Sequence, residues 1–167
     1  MKRFLLLYVL YMLLAFIIVD YEPIRNALKL DAYYTGAVVA VSAWFIDLLG
    51  ISVQAQGAFL HLSHAIMEVK FGCNGLEAIL LYLAAVLAYP ASGKLRLAGI
   101  IVGSAVLQIL NIIRIGVLAW VLEYHKQQFA IMHEYVTQSI MIALAFIVFL
   151  FYLQVTERER DFSRQQA

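Results

Sequence analysis

Four apolar stretches constrain this chain more than any other feature. A helix crossing the hydrocarbon of a bilayer needs about 20 largely apolar residues, down to about 17. Phe4 to Val19 meets that requirement directly after Met1-Lys2-Arg3. A second stretch runs from about Gly75 to Tyr89 and stops at Pro90-Ala91-Ser92-Gly93. The third runs from Leu95 through Ile113 and on toward Leu122, and the fourth from about Val136 to Leu153. Of the 167 residues 64% are apolar and 14% charged, against about 45–50% and about 25% in soluble domains, which excludes a water-soluble globule. A net charge of +1 excludes the clustered basic surface that nucleic-acid binding needs. A single cysteine excludes an internal disulfide and a Cys-rich metal site. The expected class is an all-α integral membrane protein with about four transmembrane helices.

Positive charge sets the orientation. Lys2 and Arg3, then Lys94 and Arg96, then Arg158, Arg160 and Arg164 all fall on the cytoplasmic side if the four spans alternate. The alternation places residues 20–74 and about 115–135 outside. The first span has the basic start and apolar core of a signal peptide, but Val19-Asp20-Tyr21-Glu22-Pro23 offers no small-residue cleavage site, so we read it as an anchor. Thr35 to Gly50 is apolar enough for a fifth span, yet a crossing there would carry Cys73 inside and break the charge rule downstream. Ser42 and Asp47 interrupt it, while Val38, Val41, Phe45 and Leu48 recur at helical spacing. It reads as an amphipathic helix lying in the outer interface.

From 51 to 71 the period changes to two. Ile51, Val53 and Ala55 alternate with Ser52, Gln54 and Gln56; Phe59, His61 and Ser63 with Leu60 and Leu62; Met67, Val69 and Phe71 with Glu68 and Lys70. Turns at Gly57 and at Ser63-His64 divide this into two or three short extracytoplasmic strands. Residues 1–156 form one membrane-embedded domain, and the polar tail 157–167 frays on the cytoplasmic side.

Ionisable groups in or near apolar spans are costly and mark candidate functional positions. Cys73 stands where strand gives way to helix, in Gly72-Cys73-Asn74-Gly75-Leu76-Glu77. Asn74 is a good N-cap, and both the positive helix end and nearby Lys70 favour thiolate. The flanking glycines let a substrate backbone approach the sulfur. Cysteine is also commonly a small buried hydrophobe, and spacing alone does not separate the two. Ser104, Gln108, Asn111 and Arg114 step by four, three and three, drawing one polar ridge along an apolar helix. That ridge faces protein or a wet cavity; an arginine snorkelling to headgroups is the plainer alternative. His133 opens the fourth span with Thr137 one turn on, placed as a general base or acid for a thiol or simply as an interfacial histidine. Glu77, one turn after Cys73, is placed to pair with Arg114 or to serve as a first-turn acid. His61 and His64 read as solvated strand positions and His125 as a loop residue; no histidine pair has metal-ligand spacing. With alternating spans, Cys73, Arg114 and His133 all stand at the outer ends of successive helices. A thiol, a guanidinium and an imidazole on one side are the parts of an acyl-transfer site.

Cys73-Asn74-Gly75, Asn111-Ile112-Ile113-Arg114 and His133 before the last span resemble, in kind and order, the exosortase/archaeosortase family of membrane transpeptidases, and most closely its exosortase H branch. The likeness covers about residues 4–155. It implies that residues 1–156 are a transpeptidase domain in the bacterial inner membrane with its site facing the periplasm, needing neither metal nor cofactor. The implied substrates are exported proteins ending in a recognition motif (IPTLxxWG-type), a transmembrane helix and a basic end. Cys73 would attack the scissile carbonyl and hold the protein as a thioester for an envelope acceptor. His133 would move protons, Arg114 would hold the thiolate or oxyanion, and Asn74, Gly75, Glu77 and Asn111 would support them. Apart from the resemblance, the strands before Cys73 are a candidate docking edge, since an extended peptide could add alongside them. A second reading makes the chain a non-enzymatic membrane subunit binding a partner helix through Ser104, Gln108, Asn111 and Arg114. A transporter fits less well, because the ionisable groups gather at one side rather than at the midplane.

Overall fold

A computed structural model describes residues 2–21, 31–70 and 72–165. Glu22, Pro23, Phe71 and the last two residues of the tail lie outside these. The first apolar stretch forms α1 (Lys2–Asp20). A π turn (Asp31–Thr35) leads into α2 (Gly36–Leu48). Three short strands follow, β1 (Val53–Gln56), β2 (Phe59–Leu62) and β3 (Ile66–Glu68), as an antiparallel sheet in the order β1-β2-β3. Then come α3 (Leu76–Ala88) and α4 (Gly93–Tyr124). A 3-10 turn, one helical turn and a second π turn (Lys126–Gln128, Phe129–Ile131, Met132–Val136) run into α5 (Thr137–Gln165). The helix carries on through 157–165, so the tail expected to fray extends α5 instead.

Among the described residues three helices are long and apolar enough to cross a membrane: α1, α4 and the run Lys126–Asp161 that contains most of α5. The second expected span keeps its bounds to within a residue, but α3 has only 13 residues, about 20 Å of helix. It survives at that length because other helices surround it: α1, α4 and α5 all pack on it, and its buried Ala78, Ala84, Ala85 and Ala88 allow close approach. Irregular backbone beyond a short helix is tolerated at membrane depth where protein, not lipid, covers it.

The two ends of the bundle differ. At one, Phe4, Tyr89, Phe149 and Tyr152 form an aromatic cluster with ring centroids 6.2–6.5 Å apart. Arg96 Nη2 donates to the Tyr89 and Ala91 carbonyls there, at 3.5 Å. Lys2, Arg3 and Lys94 belong to the same end by their places in α1 and α4. The sheet caps the other end, where His64 Nδ1 meets the Glu123 carboxylate of α4 at 2.5 Å. The alternation holds in β2 and β3: Leu60, Leu62, Met67 and Val69 turn inward, while Phe59, Ile66 and Glu68 turn out; β1 is intermediate at Val53 and exposed at Gln54, Ala55 and Gln56 alike. Gly57, at φ +60°, supplies the left-handed residue that the β1–β2 turn requires.

The face of α2 departs from expectation. Its inward stripe is Thr35, Val38, Val39, Ser42 and Ile46, whereas Val41 and Leu48 are exposed. Ser42, read as a break, is fully buried. The sequence is apolar all round here, so periodicity of the large residues alone picked the wrong stripe. Phe45 does reach α4, where Gly116 leaves room for its ring.

Glycines set the closest helix contacts. A Cβ on Gly103 of α4 would lie 2.1 Å from Tyr82 Oη of α3, and the same hydroxyl donates to the Gly99 carbonyl at 2.8 Å. Gly103→Val should therefore lower the melting temperature in detergent by several degrees, an overpacking cost of about 1–3 kcal/mol. Gly36→Ala, where nothing lies within 4 Å of the added carbon, should match the parent or exceed it slightly. Equal melting of the Gly103 variant and the parent would contradict the α3–α4 contact.

Candidate functional site

Four residues between sheet and helix, Gly72 to Gly75, include the cysteine singled out in the sequence. After β3 the chain turns tightly: the amides of Cys73 and Asn74 both donate to the Lys70 carbonyl, at 2.9 and 3.1 Å. Gly72 and Gly75 bracket the turn at φ +90° and +84°, the left-handed region that side chains disfavour. Space makes Gly75 doubly necessary, since a Cβ there would sit 2.8 Å from the Asn111 amide. Cys73 and Asn74 are 3% and 2% exposed.

Asn74 satisfies this buried turn. Its Oδ1 accepts from the Leu76 amide at 3.1 Å, capping α3 much as expected, though Gly75 occupies the cap position itself. Its Nδ2 donates to Thr35 Oγ1 at 3.1 Å, and its carbonyl accepts from Gln108 Nε2 at 3.5 Å. Gln108 Oε1 in turn accepts from the Tyr34 hydroxyl at 2.9 Å. The polar ridge of α4 thus faces protein: Gln108 meets the turn, Asn111 presses on Gly75, and Arg114 lies just beyond. Asn111 is completely buried, and neither atom of its amide has a partner among the described residues.

Arg114 joins the elements. Its Nη1 donates to the Gly72 carbonyl at 3.3 Å and its Nε to Thr137 Oγ1 at 3.0 Å. Thr137 Oγ1 donates onward to the His133 carbonyl at 3.4 Å. The guanidinium is 6% exposed, yet among the described residues no carboxylate pairs with it. The expected Glu77–Arg114 pair is absent, because Glu77 Oε2 accepts instead from Gln138 Nε2 of α5 at 3.1 Å. Arg114, Glu77 and Gln138 share a cavity of about 60 Å³ with Gly72, Gly75 and Phe16, room for a few waters.

His133 sits in the second π turn, its ring stacked on Phe129 with centroids 5.5 Å apart. Phe129 and Met132 pack against the core that includes Cys73. The Arg114 charge acts on both the Cys73 thiol and the His133 ring. The structure therefore gathers Cys73, Asn74, Gly75, Asn111, Arg114 and His133 at one end of the bundle, with Glu77 beside them but paired elsewhere. His64 and His125 lie apart, the first on Glu123 and the second against Trp120. Sequence reasoning gave Thr35, Thr137 and Gln138 no part in the site. Thr137 and Gln138 carried a spacing signal from His133 and Glu134, whereas Thr35 carried none.

Lys70 does not assist the thiol: its ammonium is exposed and pairs with Glu68 at 2.9 Å. Burial pushes the Cys73 thiol above its ordinary pKa, and the Arg114 charge pulls it partly back. Alkylation of Cys73 by iodoacetamide should then rise with pH to a midpoint above that of free cysteine. Removing the cation in Arg114→Gln should move the midpoint higher still; an unchanged or lower midpoint would show that the two groups are not coupled.

The transmembrane exosortase family model (Exosortase_EpsH) matches residues 1–152. Comparison with the curated proteins and with the solved structures finds no match.

Proposed function

The chain belongs to the transmembrane exosortase family, a family of membrane sorting enzymes acting on proteins that carry sorting signals, and from that membership we propose that it is a cysteine transpeptidase working at the Cys73 turn. The observation that carries the proposal is the state of Arg114. A cation buried in a membrane bundle is costly, and among the described residues the groups that bond to it are neutral oxygens, on the turn that carries the one cysteine and at the start of α5. Such a group is completed by an anion that forms during reaction.

In this reading His133 takes the thiol proton as the Cys73 sulfur attacks the scissile carbonyl. Arg114 stabilises the oxyanion of the tetrahedral intermediate. Collapse breaks the C–N bond, and the leaving amine takes its proton from His133. The thioester on Cys73 then passes to an acceptor nucleophile of the envelope, whose proton returns through His133. The substrate is an exported protein ending in an IPTLxxWG-type segment, a transmembrane helix and a basic end. The placement of Lys2, Arg3, Lys94 and Arg96 at the opposite end of the bundle supports a site facing the periplasm, within one domain spanning residues 1–156. The partner-helix reading loses its surface: Asn111 and Arg114 are buried and Gln108 is bonded within the chain.

A secreted reporter ending in such a tail, expressed with the enzyme, should be processed by the parent. It should accumulate uncut with Cys73→Ala, which keeps the parent's membrane insertion and melting behaviour. Arg114→Gln should slow processing by about 10²–10³-fold, the cost of one oxyanion donor. Undiminished processing by Cys73→Ala would overturn the mechanism.

A further inference from the structure

We propose that the outer edge of β3 receives the extended recognition segment of the substrate as a fourth strand, running in the same direction as β3 and delivering its scissile bond to Cys73. The inference rests on the transpeptidase reading and adds to it the way the substrate docks.

The ladder defines the edge. Leu62 N–H donates to the Ala65 carbonyl and Val69 N–H to the Ala58 carbonyl, each at 2.8 Å, and Leu60 stands opposite Met67. Residues 65, 67 and 69 therefore spend their backbone groups on β2. By alternation, the N–H and C=O of Ile66 and Glu68 point away from the sheet. Among the described residues no backbone group pairs with them, and β3 has β2 as its sole strand neighbour. An unpaired edge is a template for an added strand.

Position and direction identify the occupant. β3 runs toward the Cys73 turn, and the Cys73 amide lies 2.9 Å from the Lys70 carbonyl. A strand alongside Ile66 and Glu68 thus reaches the sulfur within a few residues of leaving the ladder. A substrate entering from the sheet end, with its own transmembrane helix following the cut site, must run the same way as β3 before it enters the bilayer. The outer face beside this edge is apolar where water would favour polar groups. Ile66 is 62% and Phe59 41% exposed, and with His61 they line an open groove of about 530 Å³. An added strand places alternate side chains on that face, so the recognition segment should carry a bulky apolar residue to cover Ile66 and Phe59.

Proline tests the edge, because it removes a backbone donor and is tolerated where that donor faces outward. Ile66→Pro and Glu68→Pro should each slow processing of the tail-bearing reporter about tenfold or more, the scale of a backbone hydrogen bond lost from the docked strand. Their Cys73 alkylation rate and melting temperature should match the parent. Ala55→Pro, with its donor on the far edge of β1, should process normally. Should the proline variants unfold, the reporter carrying a photocrosslinking residue in its recognition segment, trapped on Cys73→Ala, should join to residues 66–70. Normal processing by both folded proline variants, or adducts elsewhere than this edge, would overturn the docking proposal and leave the Cys73 chemistry standing. Processing by Cys73→Ala alone would instead overturn the chemistry, while the crosslink would still report the edge.

Discussion

The arrangement of this protein turns on one buried arginine whose guanidinium bonds to neutral oxygens. Arg114 lies along α4 where an apolar side chain would have been cheaper, and it bonds to two other segments, the Cys73 turn and the start of α5. Among the described residues no carboxylate pairs with it. It must be solvated by oriented dipoles, and the Gly72 carbonyl and the Thr137 hydroxyl supply them. Both belong to segments that sequence alone marks as chemical, the Cys73 turn and the start of the last span. The same bonds that make the cation tolerable therefore bring those segments together.

Lipid imposes the second requirement, that no backbone polar group be left bare. The Cys73 turn is irregular and nearly inaccessible, so its own side chains and its neighbours must satisfy it. Asn74 does most of this, bonding α3 through the Leu76 amide, the π turn through Thr35 and α4 through Gln108. Its role is thus tertiary as much as local, and replacing its side chain would free the Leu76 amide and the Thr35 hydroxyl together. Glycine on either side allows the turn to lie against Asn111 and Glu77 with no Cβ in the way. α3 is short because it begins only after this turn and ends just ahead of Pro90.

Hydropathy runs and period-two alternation made the spans, strands and sheet turns legible, because each depends on neighbours along the chain. The ridge from Gln108 to Arg114 was legible for the same reason: an apolar helix gives polar residues few other directions to face. Features requiring two distant elements were not. The stripe that α2 turns inward depends on which residues α4 and the sheet present to it, and large side chains on every side of the helix hid the answer. Glu77 was within reach of Arg114 by helical spacing, but Gln138 comes from α5 and takes its carboxylate. The two π turns that carry Thr35 and His133 have no sequence signature, since they arise where packing inserts an extra residue into a helix.

The balance at Cys73 connects this geometry to control of reactivity. Sequence context alone favoured a thiolate at rest, through the helix end and Lys70. In the fold the first helical amide is already taken by Asn74 and Lys70 faces solvent with Glu68, so burial outweighs the remaining positive charge. A thiol kept protonated until a carbonyl arrives resists alkylation and oxidation, which act on the thiolate. Arg114 loses nothing by this, because its favourable interaction is reserved for negative charge that develops on sulfur or oxygen as reaction proceeds. Stabilisation that appears only with the reacting charge accelerates chemistry, whereas the same stabilisation of a resting anion would be spent before the substrate bound.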